Sequence, residues 1–169
     1  MLELAHQPWP ITAMAADASN LRIRISGSDE AVDDAIAHLQ PQSCIEGDAY
    51  WTQLRDLSLP PQRHPGEDSL WRMSLPPAAP DPGFVGAKSG VLYDWGGAQR
   101  WLWCSDGTGV REHCLRHGGH ATCMRRALGD ATAAFTPPAV NVQAVMMRIR
   151  SSFDPNGIFN PGNYFEWAE

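Results

Sequence analysis

The feature that most constrains the fold is a hairpin that leads directly into a helix and a further strand. Residues 91–95 and 99–104 are rich in apolar and aromatic side chains and flank Gly96-Gly97, a pair typical of the turn between antiparallel strands. A helix predicted over about 109–117 and a strand predicted over 120–125 follow at once. Two strands, a helix and a strand in this order favour a split βαβ arrangement.

The elements before and after this unit complete an α+β pattern. Alternating apolar and polar residues over 21–26 predict a half-buried strand, and Ser28 predicts the cap of a helix that reaches Leu39. Further predictions are a short helix over about 50–57, a strand over 69–75 and a last helix over about 139–151. The order predicts a ferredoxin-like split βαβ two-layer sandwich, with helices on one face of an antiparallel sheet and the other face open.

Size and composition indicate one domain over 1–169 without a nucleic-acid surface. The chain has 169 residues, of which 43% are hydrophobic, enough for a single core. Charged residues are only 19% of the chain, its formal net charge is −6, and no block of Lys or Arg occurs. Seven tryptophans stand against one lysine. Because exposed Trp is costly, some of these rings are expected to meet a partner surface.

The terminus and the cysteines predict a cytoplasmic protein without a membrane span. The first residues lack a basic stretch followed by an apolar stretch, and the long uncharged segment 131–147 is interrupted by Pro137-Pro138. Four cysteines are interpreted as free thiols. A His/Cys string over 113–123 has spacings found in zinc sites, but Gly118-Gly119 divides it and it lacks paired Cys-x2-Cys clusters. No metal site is therefore predicted.

The C-terminal segment 153–164 combines several turn signals with apolar anchors. Asp-Pro, Asn-Gly and Asn-Pro-Gly follow one another within twelve residues, directly after the last helix. Such pairs form turns because proline fixes φ and Asn and Gly tolerate positive φ. We therefore expect an ordered tail docked on the body of the protein through Phe153, Ile158, Phe159 and Tyr164. A simple helix stop with a surface turn is the plainer alternative.

This tail, Phe-Asp-Pro-x-Gly-Ile-x-Asn-Pro-Gly after a basic helix end, resembles the C-terminal signature of FAD-linked oxidases of the vanillyl-alcohol oxidase type. Within that family the chain is similar to the C-terminal part of the FAD-binding subunits of bacterial glycolate oxidase. The resemblance extends in order over nearly the whole chain, through PWPITA at 8–13, YWTQLRD at 50–56, LWRMSLP at 70–76, DWGGAQRW at 94–101 and GGHAT at 118–122.

The resemblance implies FAD as cofactor and a multi-subunit oxidase as context. It implies a cap domain whose open face looks onto the flavin, with 152–169 as a docked tail near the flavin and Asn160, Pro161 and Gly162 as cofactor-binding residues. It also implies partners: the subunit's own N-terminal FAD-binding domain, a sister flavin subunit, an iron–sulfur subunit and a small 2-hydroxy acid. An assembly of this kind could be peripheral to the inner membrane.

The N-terminal FAD-binding domain has no counterpart in this sequence. A Gly-x-Gly-x-x-Gly fingerprint begins at Gly107 but fails where Glu112 occupies the third glycine position, and there is no Walker A motif. We therefore expect that this fragment alone neither retains FAD nor is active. A Glu-His-Gly element of the sister subunit is also missing, since the nearest string is Glu112-His113-Cys114. This leaves open whether the subunit oxidises substrate or only relays electrons.

Three side chains on predicted strands are candidate catalytic residues. Arg72 and Arg100 could hold a carboxylate, and His120 could take a hydroxyl proton while a hydride leaves for the flavin. We expect all three to reach one concavity together with Asn160. The plainer alternative is that the arginines are solvated or paired with acids such as Asp94.

Together these features predict part of an FAD-dependent glycolate or 2-hydroxy-acid dehydrogenase. The alternative is a free-standing ferredoxin-like domain that binds or senses a small acid without catalysis.

Overall fold

A computed structural model describes residues 1–63, 67–83 and 90–161 of the chain. Its helices are α1 (Leu2–Ala5), α2 (Asp29–Leu39), α3 (Ala49–Arg55), α4 (Gly107–Arg116) and α5 (Val140–Phe153). Its strands are β1 (Ile11–Ala16), β2 (Leu21–Ile25), β3 (Ser69–Ser74), β4 (Leu92–Asp94), β5 (Gln99–Cys104) and β6 (His120–Arg125). Short 3-10 turns lie at Pro60–Gln62 and Trp95–Gly97. No helix in the described ranges is both long and apolar enough to cross a membrane.

The strands form one antiparallel sheet in the order β2-β1-β4-β5-β3-β6. Because β5 and β6 both pair antiparallel with β3, they run in the same direction, and α4 connects them. This is the predicted split βαβ unit. Strands β6, β3, β5 and β4 have the ferredoxin-like order, and the β1–β2 hairpin extends the sheet beyond β4. The α+β two-layer class predicted from the sequence is confirmed.

Local signals set the ends of the elements in the βαβ unit. The Asp94 carboxylate accepts a hydrogen bond from the Trp95 N–H at 2.7 Å, where β4 ends. The Asp106 carboxylate accepts from the Gly109 N–H at 2.9 Å and caps α4. At the other end, the Gly119 N–H donates to the Cys114 carbonyl at 2.8 Å, which closes the helix before β6 begins.

Side chains packed against α4 define what we call the covered face of the sheet. The core there is made of Trp71, Met73, Leu75, Leu102, Cys104, Val110, Cys114, Ala121 and Cys123. Its three cysteines are buried free thiols that pack as small hydrophobic residues. Burial raises the pKa of the Cys114 thiol to about 11, so it stays protonated.

The opposite side of the same strands, which we call the concave face, carries a second core. It comprises Ala15, Leu54, Leu59, Leu70, Leu92, Trp101 and Trp103, so α3 and the segment after it pack on this side. Arg125 supports the contact by donating to the carbonyls of Leu57 and Gln62 at 3.3 Å. The expectation of one covered and one fully open face is therefore wrong. Both faces bury core residues, and only part of the concave face stays open.

Helix α5 has no buried residue. Its apolar side chains and those of the following turn are largely exposed, with Phe153 at 83% and Phe159 at 69%. The expectation that Phe153, Ile158 and Phe159 are buried against the body of this chain is wrong, and Tyr164 lies outside the described residues. The turn itself is ordered locally, because the Asp154 carboxylate accepts from the Ile158 and Phe159 N–H groups at 2.8 and 2.9 Å.

Candidate functional site

A broad concavity of about 930 Å³ opens on the concave face. Aromatic walls are supplied by Trp9, Trp51, Trp95 and Trp101, and polar groups by Arg24, Asp48, Arg55, Arg72, Asp94 and Gln99. A large apolar cavity with a few polar groups is the usual form of a ligand site. Its volume is much larger than a two-carbon acid needs, so the space suits a small acid together with a larger group.

Arg72 projects into this concavity from the middle of β3. Side chains alternate along a strand, and the register pairs Arg72 with Trp101 on one side and Thr122 on the other. Its Nε atom is buried and has no hydrogen-bond acceptor in the described part of the chain. Nor does its guanidinium form an ion pair with any described residue. A half-buried arginine without an acceptor is a ready anchor for a carboxylate, which it can hold through two parallel hydrogen bonds.

Asp94 lies in the same concavity, at the end of β4. The side chain is only 7% exposed and accepts hydrogen bonds from the Trp95 N–H at 2.7 Å and the Gln99 Nε2 at 3.1 Å. Burial raises the pKa of the Asp94 carboxyl, while these two hydrogen bonds and the nearby Trp101 oppose the rise. The Trp101 indole N–H itself makes no hydrogen bond within the described residues. The concavity thus contains a fixed carboxylate as well as a cation that has no partner in the described part of the chain.

Trp95 forms the rim beside Asp94 in a strained conformation. Its φ is +51°, a left-handed value that is unfavourable for a bulky residue, and Gly96 and Gly97 continue with φ of +64° and +98°. The indole is 72% exposed and therefore gains little from packing within the described chain. Strain of this kind is commonly kept where a side chain has a binding role.

Arg100, the second predicted site arginine, lies on the covered face. The register pairs Arg100 with Met73 of the covered face, whereas Arg72 is paired with Trp101 of the concave face. Its side chain is 2% exposed and donates to the carbonyls of Gly97, Pro80 and Ala79 at 3.3, 2.7 and 2.6 Å. The expected sharing of one concavity by Arg72 and Arg100 is wrong, because adjacent strands in register place these two residues on opposite sides of the sheet.

His120, the predicted proton acceptor, begins β6 at an edge of the sheet. The register pairs it with Ser74, so it shares the concave face with Arg72. However, its side chain is exposed and is not part of the wall of the concavity. The expectation that it reaches the same concavity is therefore wrong, although its catalytic role stays a prediction.

Two predicted cofactor-binding residues are described, and the third, Gly162, lies outside the described residues. Asn160 has a φ of +47° and, like Pro161, is exposed. The Asn160 side-chain amide forms no hydrogen bond within the described ranges, so it has donors and an acceptor to offer a flavin. The side chain of Asn160 is therefore chemically suited to contact a flavin, and this contact stays a prediction.

The His/Cys string over 113–123 is divided between two environments. His113, Cys114 and Cys123 are buried near α4, whereas His120 is exposed at the start of β6. Within the described residues, no three His, Cys, Asp or Glu side chains are grouped as a metal ion requires.

Asp94 was missed as a site residue by reasoning from the sequence, which treated it only as a possible partner for an arginine. The signal that could have identified it is its position directly before Trp95-Gly96-Gly97. An acid at a strand end, followed by a turn that needs positive φ, is fixed by the turn and lies beside the sheet surface.

The fold and its concavity define an α+β domain that carries, on one open surface, a buried carboxylate and a cation without a partner in residues 1–63, 67–83 and 90–161. Over 160 residues, 94% of the chain, it is 34% identical to the glycolate oxidase subunit GlcE of Escherichia coli strain K12. The similarity indicated by the ordered motifs is thereby confirmed. The chain spans 43% of the length of that subunit. No protein-family profile matches the chain, and no solved structure was found to be similar to it.

Proposed function

We propose that this chain forms the substrate-side surface of an FAD-dependent dehydrogenase that oxidises glycolate or another small 2-hydroxy acid. The observation that carries the proposal is Arg72, whose half-buried guanidinium lies in the wall of an aromatic concavity and whose Nε has no acceptor among the residues that the structure describes. An anionic substrate would supply the missing acceptor. The similarity to a glycolate oxidase subunit supports this class of substrate.

In this proposal the concavity is completed by a flavin-binding domain. The concavity has room for a ring system beside a small acid, and its walls carry four indole rings. Bound FAD supplies the acceptor for the hydride that leaves the substrate Cα. Asn160, Pro161 and Gly162 contact the flavin or its pocket, and the exposed apolar side chains of α5 and the tail pack on the domain that holds it.

The larger assembly is part of the same proposal. The subunit's own N-terminal FAD-binding domain, a sister flavin subunit and an iron–sulfur subunit are its partners. Arg72 fixes the substrate carboxylate, whereas we assign no substrate contact to Arg100, whose donors are already directed at backbone carbonyls. The fragment alone binds neither FAD nor substrate productively.

The experiment uses the flavin-loaded full-length subunit in complex with its partners. Glycolate is added anaerobically, and bleaching of the flavin of this subunit is followed by absorbance in the unsubstituted protein and in Arg72→Gln. To isolate this flavin, the sister subunit carries a substitution that removes its own FAD. We expect glycolate to bleach the flavin of the unsubstituted protein, and Arg72→Gln to retain FAD but lose the bleaching.

Arg24→Gln is the matched control, because Arg24 lines the same concavity but lies 3.9 Å from Asp48 and packs over the Trp51 ring. It should bleach normally. If the flavin is reduced only when the sister subunit carries its own, this subunit relays electrons and the proposed substrate role is wrong. Glycolate binding without any bound flavin or partner would instead favour a free-standing acid-binding domain.

A further inference from the structure

We infer that Asp94 accepts the hydroxyl hydrogen bond of the substrate and then its proton, an inference that rests on the proposed function. Arg72 and Asp94 would then bind the two ends of the same 2-hydroxy acid. This is the role predicted from the sequence for His120, whose exposed ring is not part of the wall of the concavity, and the inference assigns it to Asp94 instead.

The sheet register brings the two groups to one surface. Arg72 pairs with Trp101, which pairs with Leu92, and Asp94 lies two residues beyond Leu92 on the same face of β4. Their backbones are separated by two strand spacings, about 10 Å across the sheet, and by two residues, about 7 Å, along it. An arginine side chain extending from β3 covers most of that distance, so a small hydroxy acid fits between the two polar groups. Trp101 lies between them as an apolar floor.

Asp94 is also held in place as a proton acceptor must be. Hydrogen bonds from the Trp95 N–H and the Gln99 Nε2 fix the carboxylate, and carboxylate oxygens have further lone pairs available for a substrate hydroxyl. Burial raises the pKa of Asp94, which brings its basicity closer to that needed for proton transfer near neutral pH.

In the proposed oxidation, bonds and electrons balance when Asp94 takes the proton and Arg72 only binds the carboxylate. Oxidation converts the H–C–O–H unit of the acid to a carbonyl. The C–H bond breaks and its electron pair leaves as hydride for the FAD, the O–H bond breaks, and its proton forms a new bond to the Asp94 carboxylate. The C–O single bond becomes a double bond. Arg72 holds the substrate carboxylate and takes no part in the proton transfer.

Other charged and titratable groups face Asp94 across the concavity and belong in the interpretation of any pH dependence. They are Arg72 on β3, Arg24 on β2, and Asp48 and Arg55 at the two ends of α3, while Tyr50 on α3 is electrostatically coupled to Asp94. Arg24 and Asp48 lie 3.9 Å apart, and Arg55 is paired with Asp56 at 2.8 Å. Arg72 is therefore the unpaired cation among these groups of the described chain.

The test measures the affinities of glycolate and of acetate, which lacks the hydroxyl, for the full-length subunit with its flavin chemically reduced beforehand, so that glycolate binds without being oxidised, by calorimetry between pH 4 and pH 9. Asp94→Asn keeps an acceptor for the Trp95 N–H but loses the charge. We expect the substitution to lower the preference for glycolate over acetate about tenfold, since a hydrogen bond to a charged group is lost. In the unsubstituted protein, acetate affinity should fall as pH rises through the Asp94 pKa, because the ionised carboxylate repels it, and Asp94→Asn should abolish that fall.

Asp33→Asn is the control: it removes an exposed carboxylate of α2 that is not part of the wall of the concavity, and it should leave both the preference and the pH profile unchanged. Asp94→Asn could instead keep the preference for glycolate over acetate and the pH dependence of acetate affinity seen in the unsubstituted protein. That result would overturn the role of Asp94 but would leave carboxylate binding by Arg72 intact. Failure of both acids to bind the unsubstituted protein would instead overturn the proposed function and, with it, this inference.

Discussion

The two faces of the sheet use arginine in opposite ways. On the covered face, Arg100 is almost completely buried and its guanidinium is surrounded by backbone carbonyls of the 79–80 segment and of Gly97. On the concave face, Arg72 is half-buried and its Nε has no acceptor among the described residues. The residues lie on neighbouring strands and look alike in the sequence. The difference shows that the supply of acceptors, not the presence of a cation, distinguishes an arginine that supports the fold from one that can bind a ligand.

A substitution that enlarges a side chain should destabilise the protein more on the covered face than on the concave face. A Cβ atom on Gly119 would lie 2.0 Å from the Ser74 carbonyl oxygen, a backbone atom of β3 that cannot move aside. We expect Gly119→Ala to lower the free energy of unfolding by about 3 kcal/mol or more, as overpacking against fixed backbone does. Denaturant titration measures the change.

Gly118→Ala is its control, because Gly118 has a φ of +75° but no atom within 4 Å of the added carbon. That substitution should cost only about 1 kcal/mol, the conformational penalty alone. Equal decreases in the free energy of unfolding for the two variants would show that Gly119 does not pack closely against β3.

Removal of the buried guanidinium should produce the next largest effect. Arg100→Met leaves the carbonyls of Ala79, Pro80 and Gly97 without this donor. We expect a loss of about 2 to 3 kcal/mol in the free energy of unfolding, since hydrogen bonds from a charged donor are lost and the buried Gly97 loses its partner. Arg72→Met should change stability by less than about 0.5 kcal/mol, because no hydrogen bond is lost. Similar losses in both variants would contradict the contrast between the faces.

A hydrogen-bonded pair on the covered face should give a smaller, pH-dependent effect. The buried Ser69 hydroxyl donates to Asp130 at 2.6 Å and accepts from the Ala127 N–H at 2.9 Å. Ser69→Ala should cost about 1 to 2 kcal/mol at pH 7. Hydrogen bonds, first that from Ser69, lower the pKa of Asp130 from 3.8 to about 2.

The sign of the pH effect follows from this lowered pKa. Stability that comes from a depressed carboxyl pKa is complete above the unfolded value and is lost as pH falls toward the folded value. The difference between the unsubstituted protein and Ser69→Ala should therefore be full at pH 5 and shrink between pH 4 and pH 2. A difference that stays constant over this range would exclude the carboxylate of Asp130 from the effect.

On the concave face, one substitution should raise stability slightly. Trp95 is largely exposed and has a left-handed backbone, which asparagine tolerates better. We expect Trp95→Asn to raise the free energy of unfolding by about 0.5 kcal/mol. In the flavin-loaded full-length subunit, the same substitution should weaken glycolate binding. A loss of stability would mean that the indole packs within the domain rather than serving the concavity.

Sequence patterns predicted the positions of helices and strands better than they predicted what covers each face of the sheet. The hairpin at Gly96-Gly97, helix α4 and strand β6 all have local signals, and each is found within about two residues of its predicted bounds. Strand β1 was missed because ITAMAA is rich in alanine and lacks clear alternation, so its pairing with β2 and β4 decides its structure.

Which residues belong to the site depends on contacts between residues that are far apart in the sequence. Alternation along β5 places Arg100 and the two tryptophans Trp101 and Trp103 on different faces of the sheet, but only the register of β5 with β3 shows that Arg72 and Arg100 also lie on different faces. Two of the three acceptors of Arg100, the carbonyls of Pro80 and Ala79, lie about twenty residues away, in a segment without a periodic pattern. The exposed Phe153 and Phe159 were predicted to be buried for a similar reason, since apolar character alone does not say which surface covers a side chain.

The most direct test of the contrast between the faces measures stability and binding in the same two variants. Arg72→Met and Arg100→Met are prepared in the flavin-loaded full-length subunit, and the denaturation midpoint and, with the flavin chemically reduced beforehand, the glycolate affinity are determined for each. Loss of the charge-assisted hydrogen bonds of Arg72 should weaken glycolate binding by about 30-fold or more with an unchanged midpoint. Arg100→Met should lower the midpoint while the folded fraction binds glycolate normally. Normal glycolate binding by Arg72→Met, or a loss of binding confined to Arg100→Met, would contradict the account.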